Sequence, residues 1–121
     1  MPELDPEDAK ILILARAARQ RAYAPHSGAA AAEGAAVRDT DGRTYAAATV
    51  EMSDPALTTS ALRGAVAAAA SSGARRFEAA AIVTDAATPD PRDLAVLREF
   101  GAGIPLLMAR PDGAVHATVT S

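Results

Sequence analysis

The sequence of 121 residues contains no cysteine and no tryptophan, and it has only two phenylalanines and two tyrosines. Without cysteine, disulfide bonds and thiolate metal sites are excluded, and a cytoplasmic location is predicted. No apolar stretch approaches the roughly 20 residues that a membrane-spanning helix requires. The first five residues include two acidic residues and no basic one, whereas a secretory signal peptide begins with basic residues. These absences predict a soluble cytoplasmic protein with no membrane partner.

Positive charge is not in excess either, because the formal net charge is −3. A protein that binds a nucleic-acid backbone needs a basic face, so a nucleic-acid partner is not expected. Half of the residues are hydrophobic, which predicts a folded chain, and its length fits a single domain over residues 1–121. Most of these hydrophobic residues are alanines, which bury little area each. We therefore expect stability to depend on oligomerisation as well as on the core of one chain.

Capping residues, turn residues and hydrophobic periodicity predict the element order α-β-β-α-β-α-β-β. This order is typical of a three-layer α/β domain with a mixed sheet of about five strands. The predicted elements are a helix that starts at Asp5, strands at 35–38 and 44–51, a helix at 58–72, a strand at 77–84, a helix from Asp90 to about Phe100, and strands at 104–109 and 114–119.

Three local patterns support this assignment. Ile11, Leu14, Ala15 and Ala18 form the predicted inner face of the first helix. Asp-Gly at positions 41 and 42 provides the positive φ angles of a tight hairpin turn. The helix at 58–72 is small or apolar nearly all round, so it is predicted to be buried.

Six segments of the chain occur in a fixed order that resembles the cytidine deaminase family of zinc-dependent nucleoside deaminases. They are similar to the family's Tyr-Ala-Pro-Tyr-Ser loop, Gly-Ala-Ala strand, hairpin, Asn-Val-Glu-Asn motif, Leu-Thr-Leu-Cys-Ala-Glu-Arg motif and Pro-Cys-Gly-x-Cys motif. Each match alone is weak, but the collinear set covers nearly the whole chain, with an apparent two-residue insertion after Ser27. The segments are Ala22–Ser27, Gly34–Val37, Asp41-Gly42, Thr49–Met52, Leu57–Arg63 and Pro89–Phe100.

The resemblance implies a zinc ion held by three thiolates and a glutamate that carries protons between the zinc-bound water and the base. In this sequence the thiolate positions hold Ser60, Asp90 and Asp93, and the glutamate position holds Leu62. A serine hydroxyl is hard to deprotonate and is a poor zinc ligand, while leucine cannot accept a proton. The sequence therefore predicts a divergent member that has lost the zinc cofactor and the catalytic residues.

The resemblance leaves three candidate ligand-binding residues. Glu51 remains from the family's ribose-binding Asn-x-Glu, Thr49 replaces the asparagine of that motif, and His26 replaces an aromatic residue of the first loop. The alternative for Glu51 is a structural carboxylate that bonds backbone or an arginine. His26 and the distant His116 are isolated histidines, which do not form a metal site.

Asp90 and Asp93 allow two interpretations. In the first, they cap the start of the third helix, with Pro91 as its first residue. In the second, both carboxylates and Ser60 hold a hard cation such as Mg²⁺. In the family the counterpart of Arg63 contacts the zinc thiolates. We expect Arg63 to pair with Asp90 or Asp93 here and to replace the metal as the tie between the second and third helices; the alternative is a solvated arginine.

The leading functional hypothesis is a catalytically inactive, cytidine deaminase-like scaffold that binds a nucleoside or a protein partner. Small residues at helical spacing, namely Gly64, Ala68 and Ser71, favour close helix contacts in a homo-oligomer, either a tetramer or a dimer. The first alternative is a degenerate but active deaminase with a non-standard metal site. The second alternative is a regulatory subunit of an active deaminase.

Overall fold

The computed structural model describes residues 4–121. The first three residues, which belong to the predicted domain and its acidic start, lie outside the described residues. Short 3-10 turns occupy residues 29–31 and 55–57. The helices and strands are α1 (Pro6–Arg19), β1 (Gly34–Asp39), β2 (Thr44–Ala48), α2 (Ala61–Ser71), β3 (Phe77–Val83), α3 (Pro91–Arg98), β4 (Pro105–Ala109) and β5 (Val115–Thr120).

The five strands form one mixed sheet in the order β2-β1-β3-β4-β5. Strands β3 and β4 are parallel, and all other neighbours are antiparallel. Helix α1 covers one face of this sheet, and α2 and α3 cover the other. The predicted three-layer α/β fold with a mixed five-stranded sheet is therefore confirmed.

Helix α1 lies unusually close to the sheet at Gly34. A Cβ atom placed on Gly34 would sit 2.0 Å from the backbone oxygen of Ala15, so only glycine fits at this crossing. Ile11 and Ala15 are fully buried in this layer. Alanines on both surfaces permit the close approach and fix α1 against β1 and β3.

The orientation of α1 differs from the prediction in one position. Leu14, predicted on the inner face, is 37% exposed, whereas Leu12 is 8% exposed and belongs to the core. Both leucines flank the stripe formed by Ile11, Ala15 and Ala18. The backbone contact at Gly34 rotates the helix toward Leu12, which periodicity alone does not reveal.

Helix α2 also departs from its predicted limits and burial. It begins at Ala61 rather than Thr58, because the Ser60 side chain caps it and the preceding residues 55–57 form a 3-10 turn. Ala65 and Ala69 are buried against the sheet, but Ala67 and Ala68 are exposed in the single chain. The expectation that this helix is buried all round is wrong for one chain by itself.

Other boundaries shift by up to three residues. Strand β2 ends at Ala48 rather than at Glu51, since Val50 leaves the sheet and forms isolated bridges to Tyr23 and Thr59.

Within residues 4–121 the longest helix has 14 residues, and none is both long and apolar enough to cross a membrane.

Candidate functional site

The candidate site lies where the first turns of α2 and α3 meet, beyond the carboxyl end of β3. Both helices begin with a side-chain cap that satisfies a free backbone N–H. Ser60 Oγ accepts from the backbone N–H of Arg63 at 3.2 Å, and Asp90 Oδ1 accepts from the N–H of Arg92 at 2.8 Å. Pro91 occupies the first position of α3, as the sequence predicts. The two caps bring the polar residues of both helices to one place.

Ser60, Arg63 and Asp93 form a closed hydrogen-bonded network, which we call the helix tie. Ser60 Oγ donates to Asp93 Oδ1 at 2.7 Å. Arg63 Nε lies 2.9 Å from Ser60 Oγ and 3.0 Å from Asp93 Oδ1. The tie therefore connects α2 to α3 through one carboxylate oxygen that accepts from both partners.

Burial makes the helix tie stronger than an ordinary surface pair. The Asp93 side chain is only 3% exposed, and the Arg63 side chain is 29% exposed. A carboxylate buried to this degree requires a charged or polar partner, and it has two here. Leu62, in the position of the family's glutamate, is fully buried in the core between α2 and the sheet. The site thus contains an ion pair on one side and packed apolar atoms on the other.

Asp90 does not join the helix tie. Its Oδ2 lies 2.9 Å from Arg92 Nη2, and hydrogen bonds from the Arg92 side chain and backbone hold the pKa of Asp90 below its usual value. Of the two aspartates that Arg63 was predicted to meet, its salt bridge is with Asp93. Among residues 4–121, no three His, Asp or Glu side chains are grouped closely enough to hold a metal ion.

Glu33 is a member of this region that the sequence analysis missed. Its Oε2 accepts from the Thr84 hydroxyl at 2.7 Å, just beyond the end of β3. Burial is the main cause that raises the pKa of Glu33; the Thr84 hydrogen bond lowers it, and the charges of Asp93 and Asp90 raise it further. Glu33 lies in an alanine-rich stretch without a pattern, and its partner Thr84 is distant in the sequence, so no local signal indicated its role.

The three candidate ligand residues lie in adjoining segments, but two of them are already engaged in local contacts. Thr49 is buried, and its Oγ1 accepts from the Glu33 N–H at 3.0 Å. Glu51 Oε1 accepts from the N–H groups of His26 and Ser27 at 2.7 and 3.0 Å, and its Oε2 accepts from the Ser27 hydroxyl. The Ser27 bonds are the largest cause that keeps the pKa of Glu51 below its usual value.

These contacts make Glu51 a clamp on the loop at residues 23–28. The neighbouring backbone bonds from Tyr23 N to Thr49 O, at 2.8 Å, and from Glu51 N to Tyr23 O, at 2.7 Å, hold the same loop. His26 is exposed, and its Nε2 lies 3.3 Å from Ser53 Oγ. The geometry thus supports the structural interpretation of Glu51, while His26 stays open to solvent.

Solved structures of cytidine deaminases resemble this fold closely. The enzyme of Burkholderia pseudomallei matches with a TM-score of 0.83 and 28% identity, over 92% of this chain and 90% of that one. The enzyme of Mycobacterium leprae gives 0.79 and 26%, over 96% and 94%. The enzyme of Mycobacterium tuberculosis gives 0.75 and 31%, over 93% and 90%. Curated protein sequences give no significant match.

A family model described as cytidine deaminase-like matches residues 4–113, which is most of the chain. The identity of 31% to the Mycobacterium tuberculosis enzyme over nearly the full length of both chains agrees with that match. The shared element order and sheet therefore reflect common descent, and the chain belongs to the cytidine deaminase-like family.

Proposed function

We propose that this chain is a catalytically silent member of its family, which works without zinc as a homo-oligomeric scaffold or binding module in the cytoplasm. The observation that carries the proposal is the helix tie of Ser60, Arg63 and Asp93. It places a hydrogen-bonded ion pair where the resemblance implies a metal and its thiolates.

The donor atoms at this place do not fit a zinc ion. The sequence supplies no thiolate, and the Ser60 hydroxyl already donates to Asp93 and accepts from Arg63. The Arg63 guanidinium carries the positive charge that balances the buried Asp93 carboxylate, so a second cation there would be repelled. Asp90 is engaged by the Arg92 side chain through both carboxylate oxygens. These contacts favour a metal-free site.

The glutamate that carries protons in the family is also replaced, by Leu62. Deamination moves a proton from the attacking water to the base, which requires a side chain that can hold a proton within hydrogen-bond reach. Leu62 cannot do this and is packed in the core. Glu33, whose pKa is raised, lies nearby but directs one carboxylate oxygen to Thr84. This arrangement supports loss of turnover.

Exposed apolar side chains support the oligomeric part of the proposal. Tyr23, Val50, Met52 and Leu57 lie on adjoining segments joined by the bridges from Val50 to Tyr23 and Thr59, and between 39% and 66% of each residue is exposed. An apolar cluster of this kind on one chain is typical of a protein interface. The exposed alanines of α2 provide a second surface that permits close contact. A tetramer or a dimer would cover both.

The experiment combines three measurements on the purified protein: metal content by mass spectrometry, mass in solution by light scattering, and conversion of cytidine to uridine. We expect a zinc content far below one ion per chain and a thermal stability that a chelator does not change. We also expect an oligomeric mass and no formation of uridine. Stoichiometric zinc, or uridine formation that Asp90→Asn or Asp93→Asn abolishes, would overturn the proposal in favour of an active deaminase. A monomer would overturn its oligomeric part.

Nucleoside binding is tested separately by thermal shift. A ligand present at 100 times its dissociation constant adds about 2.7 kcal/mol to the stability of the folded state. If cytidine raises the melting temperature and Glu51→Gln removes that effect, the module binds nucleosides. If cytidine has no effect, the scaffold interpretation stands alone. Co-purification with an active deaminase from its own cells would instead identify a regulatory subunit.

A further inference from the structure

A polar cavity lies at the opposite end of α2 and α3 from the helix tie. It has a volume of about 280 Å³ and is lined by residues that follow α2 and end α3: Arg75, Arg76, Arg98, Glu99, Phe100 and Gly101. We propose that this cavity, the arginine pocket, binds the phosphate group of a small molecule. The proposal concerns a different site and does not depend on whether the chain deaminates cytidine.

The arginines of the pocket differ from four of the eight other arginines in the sequence. Four arginines elsewhere, at positions 19, 38, 63 and 92, each form a salt bridge with a carboxylate. Within residues 4–121, Arg76 and Arg98 form no salt bridge, although the chain has an excess of acidic residues. Their positive charge is therefore available to a ligand.

Arg75 is held in place by the chain itself. Its Nη1 donates to the backbone oxygens of Ala70 and Ala74, both at 2.8 Å. These bonds hold the guanidinium against carbonyl groups at the end of α2 and just beyond it, and its remaining N–H groups can still donate. The position of Arg75 is therefore fixed by the folded chain.

One wall of the pocket is formed by Phe100, whose ring packs against the ring of Phe77. The centroid of the Phe100 ring lies 5.1 Å from that of Phe77, and Phe77 belongs to the buried core. The Phe77 N–H also donates to the Phe100 oxygen at 3.4 Å. A preformed wall reduces the entropy lost when a ligand is bound. The Gly101 N–H also donates to the backbone oxygen of Arg98 at 3.2 Å, which closes the turn at the end of α3.

The charge and size of the pocket select the class of ligand. Three arginines against one glutamate give a net charge of +2 in the lining, which matches a phosphate group that carries close to two negative charges at neutral pH. Planar guanidinium groups bind phosphate oxygens through paired hydrogen bonds. A cavity of about 280 Å³ is at the small end for ligand sites, so it suits a phosphate with a small substituent rather than a whole nucleotide.

The test is a titration followed by backbone amide NMR and calorimetry at constant ionic strength, with inorganic phosphate, cytidine monophosphate and cytidine as probes. We expect saturable phosphate binding, with shifts concentrated at residues 75–77 and 98–101. The double variant Arg76→Ala/Arg98→Ala should bind phosphate about tenfold more weakly or worse, because two charge-assisted contacts are lost. Cytidine should not shift these amides.

The two phosphate probes distinguish the source of the group. If cytidine monophosphate competes with phosphate, the pocket accepts a phosphate ester; if it does not, the pocket takes free phosphate. The control variant Arg21→Ala/Arg110→Ala removes two exposed arginines that lie elsewhere and leaves phosphate affinity unchanged if the proposal holds. An equal loss in the control, or no saturable binding by the unaltered protein, would overturn the proposal.

Discussion

The two ends of the α2–α3 pair differ in whether their charged side chains are paired with other side chains. At the starting end, Asp93 is buried and shares Ser60 and Arg63 in the helix tie. At the far end, Arg76 and Arg98 line an open pocket without a salt bridge to any of residues 4–121. In α3 the helix macrodipole favours Asp93 in the first turn and Arg98 in the last, so it explains where these two charges lie but not whether they are paired.

Burial accounts for the difference. Because Asp93 is removed from water, its charge must be balanced by other side chains, and the result is a fixed contact between two helices. Exposed arginines keep their hydration and need no protein partner. The starting end should therefore contribute to folding stability, and the far end should contribute to binding.

The largest effect is expected at the starting end. Asp93→Ala leaves the Arg63 guanidinium without its carboxylate and Ser60 without an acceptor, so it should lower the free energy of unfolding by about 3 kcal/mol. Urea denaturation measures this loss. As a control, Asp85→Ala removes the exposed pair with Arg19 and should cost less than about 1 kcal/mol. Equal costs for the two variants would contradict the comparison.

A smaller loss is expected for Ser60→Ala. This change removes the cap of α2 and the hydrogen bond to Asp93 together, at a cost of about 2 kcal/mol in unfolding free energy. The matched variant Asp90→Ala removes only the cap of α3 and an exposed contact with Arg92, at a cost of about 1 kcal/mol. If thermal and urea denaturation give the reverse order, the helix tie is not the main contact.

Glu33 provides a prediction in the pH dependence of stability. Burial raises the pKa of Glu33 in the folded state. The stability that this shift contributes to folding is therefore fully present at pH values below the usual pKa of 4.5, and it is lost as the pH rises through the raised pKa of the folded state. Glu33→Gln keeps an oxygen that can accept from Thr84 and removes the titration. The variant should therefore gain stability relative to the unaltered protein as the pH increases.

Denaturation curves at several pH values from 4 to 8 check this sign. The exposed residue Glu99 offers a control, because Glu99→Gln removes a carboxylate from the surface and leaves the α2–α3 starting end unaltered. A constant difference between Glu33→Gln and the unaltered protein across the range would show that the carboxyl of Glu33 is not desolvated.

The smallest effect on stability is expected at the far end. Arg76→Ala and Arg98→Ala should each change the free energy of unfolding by less than about 0.5 kcal/mol, since both side chains are exposed. Arg75→Ala should cost about 1 kcal/mol, because its Nη1 bonds carbonyls at the end of α2. A large loss for Arg98→Ala in thermal denaturation would mean that this end, too, is structural.

Most of the fold could be predicted from local patterns. The Asp41-Gly42 turn, the proline at the start of α3 and the apolar strands each depend on neighbouring residues, and the structure places them within a few residues of the prediction. The error at Leu14 has a different origin, because the rotation of α1 is set by its contact with Gly34, which lies 20 residues further along the chain.

The candidate site could be predicted only where the resemblance marked positions. It brought Ser60, Arg63 and Asp93 together, although the two parts of this set are about thirty residues apart in the sequence. It could not identify Glu33, since that position adjoins the insertion and its partner Thr84 lies 51 residues away. Nor could sequence separate Arg76 and Arg98 from other surface arginines, because a cavity is a property of the folded chain.

The helix tie also constrains which substitutions the chain tolerates. Ser60, Arg63 and Asp93 meet at one buried carboxylate oxygen, so removal of one residue leaves the other two without a shared partner. The free-energy losses at the three positions should therefore not add, and a second substitution within the set should cost less than the first.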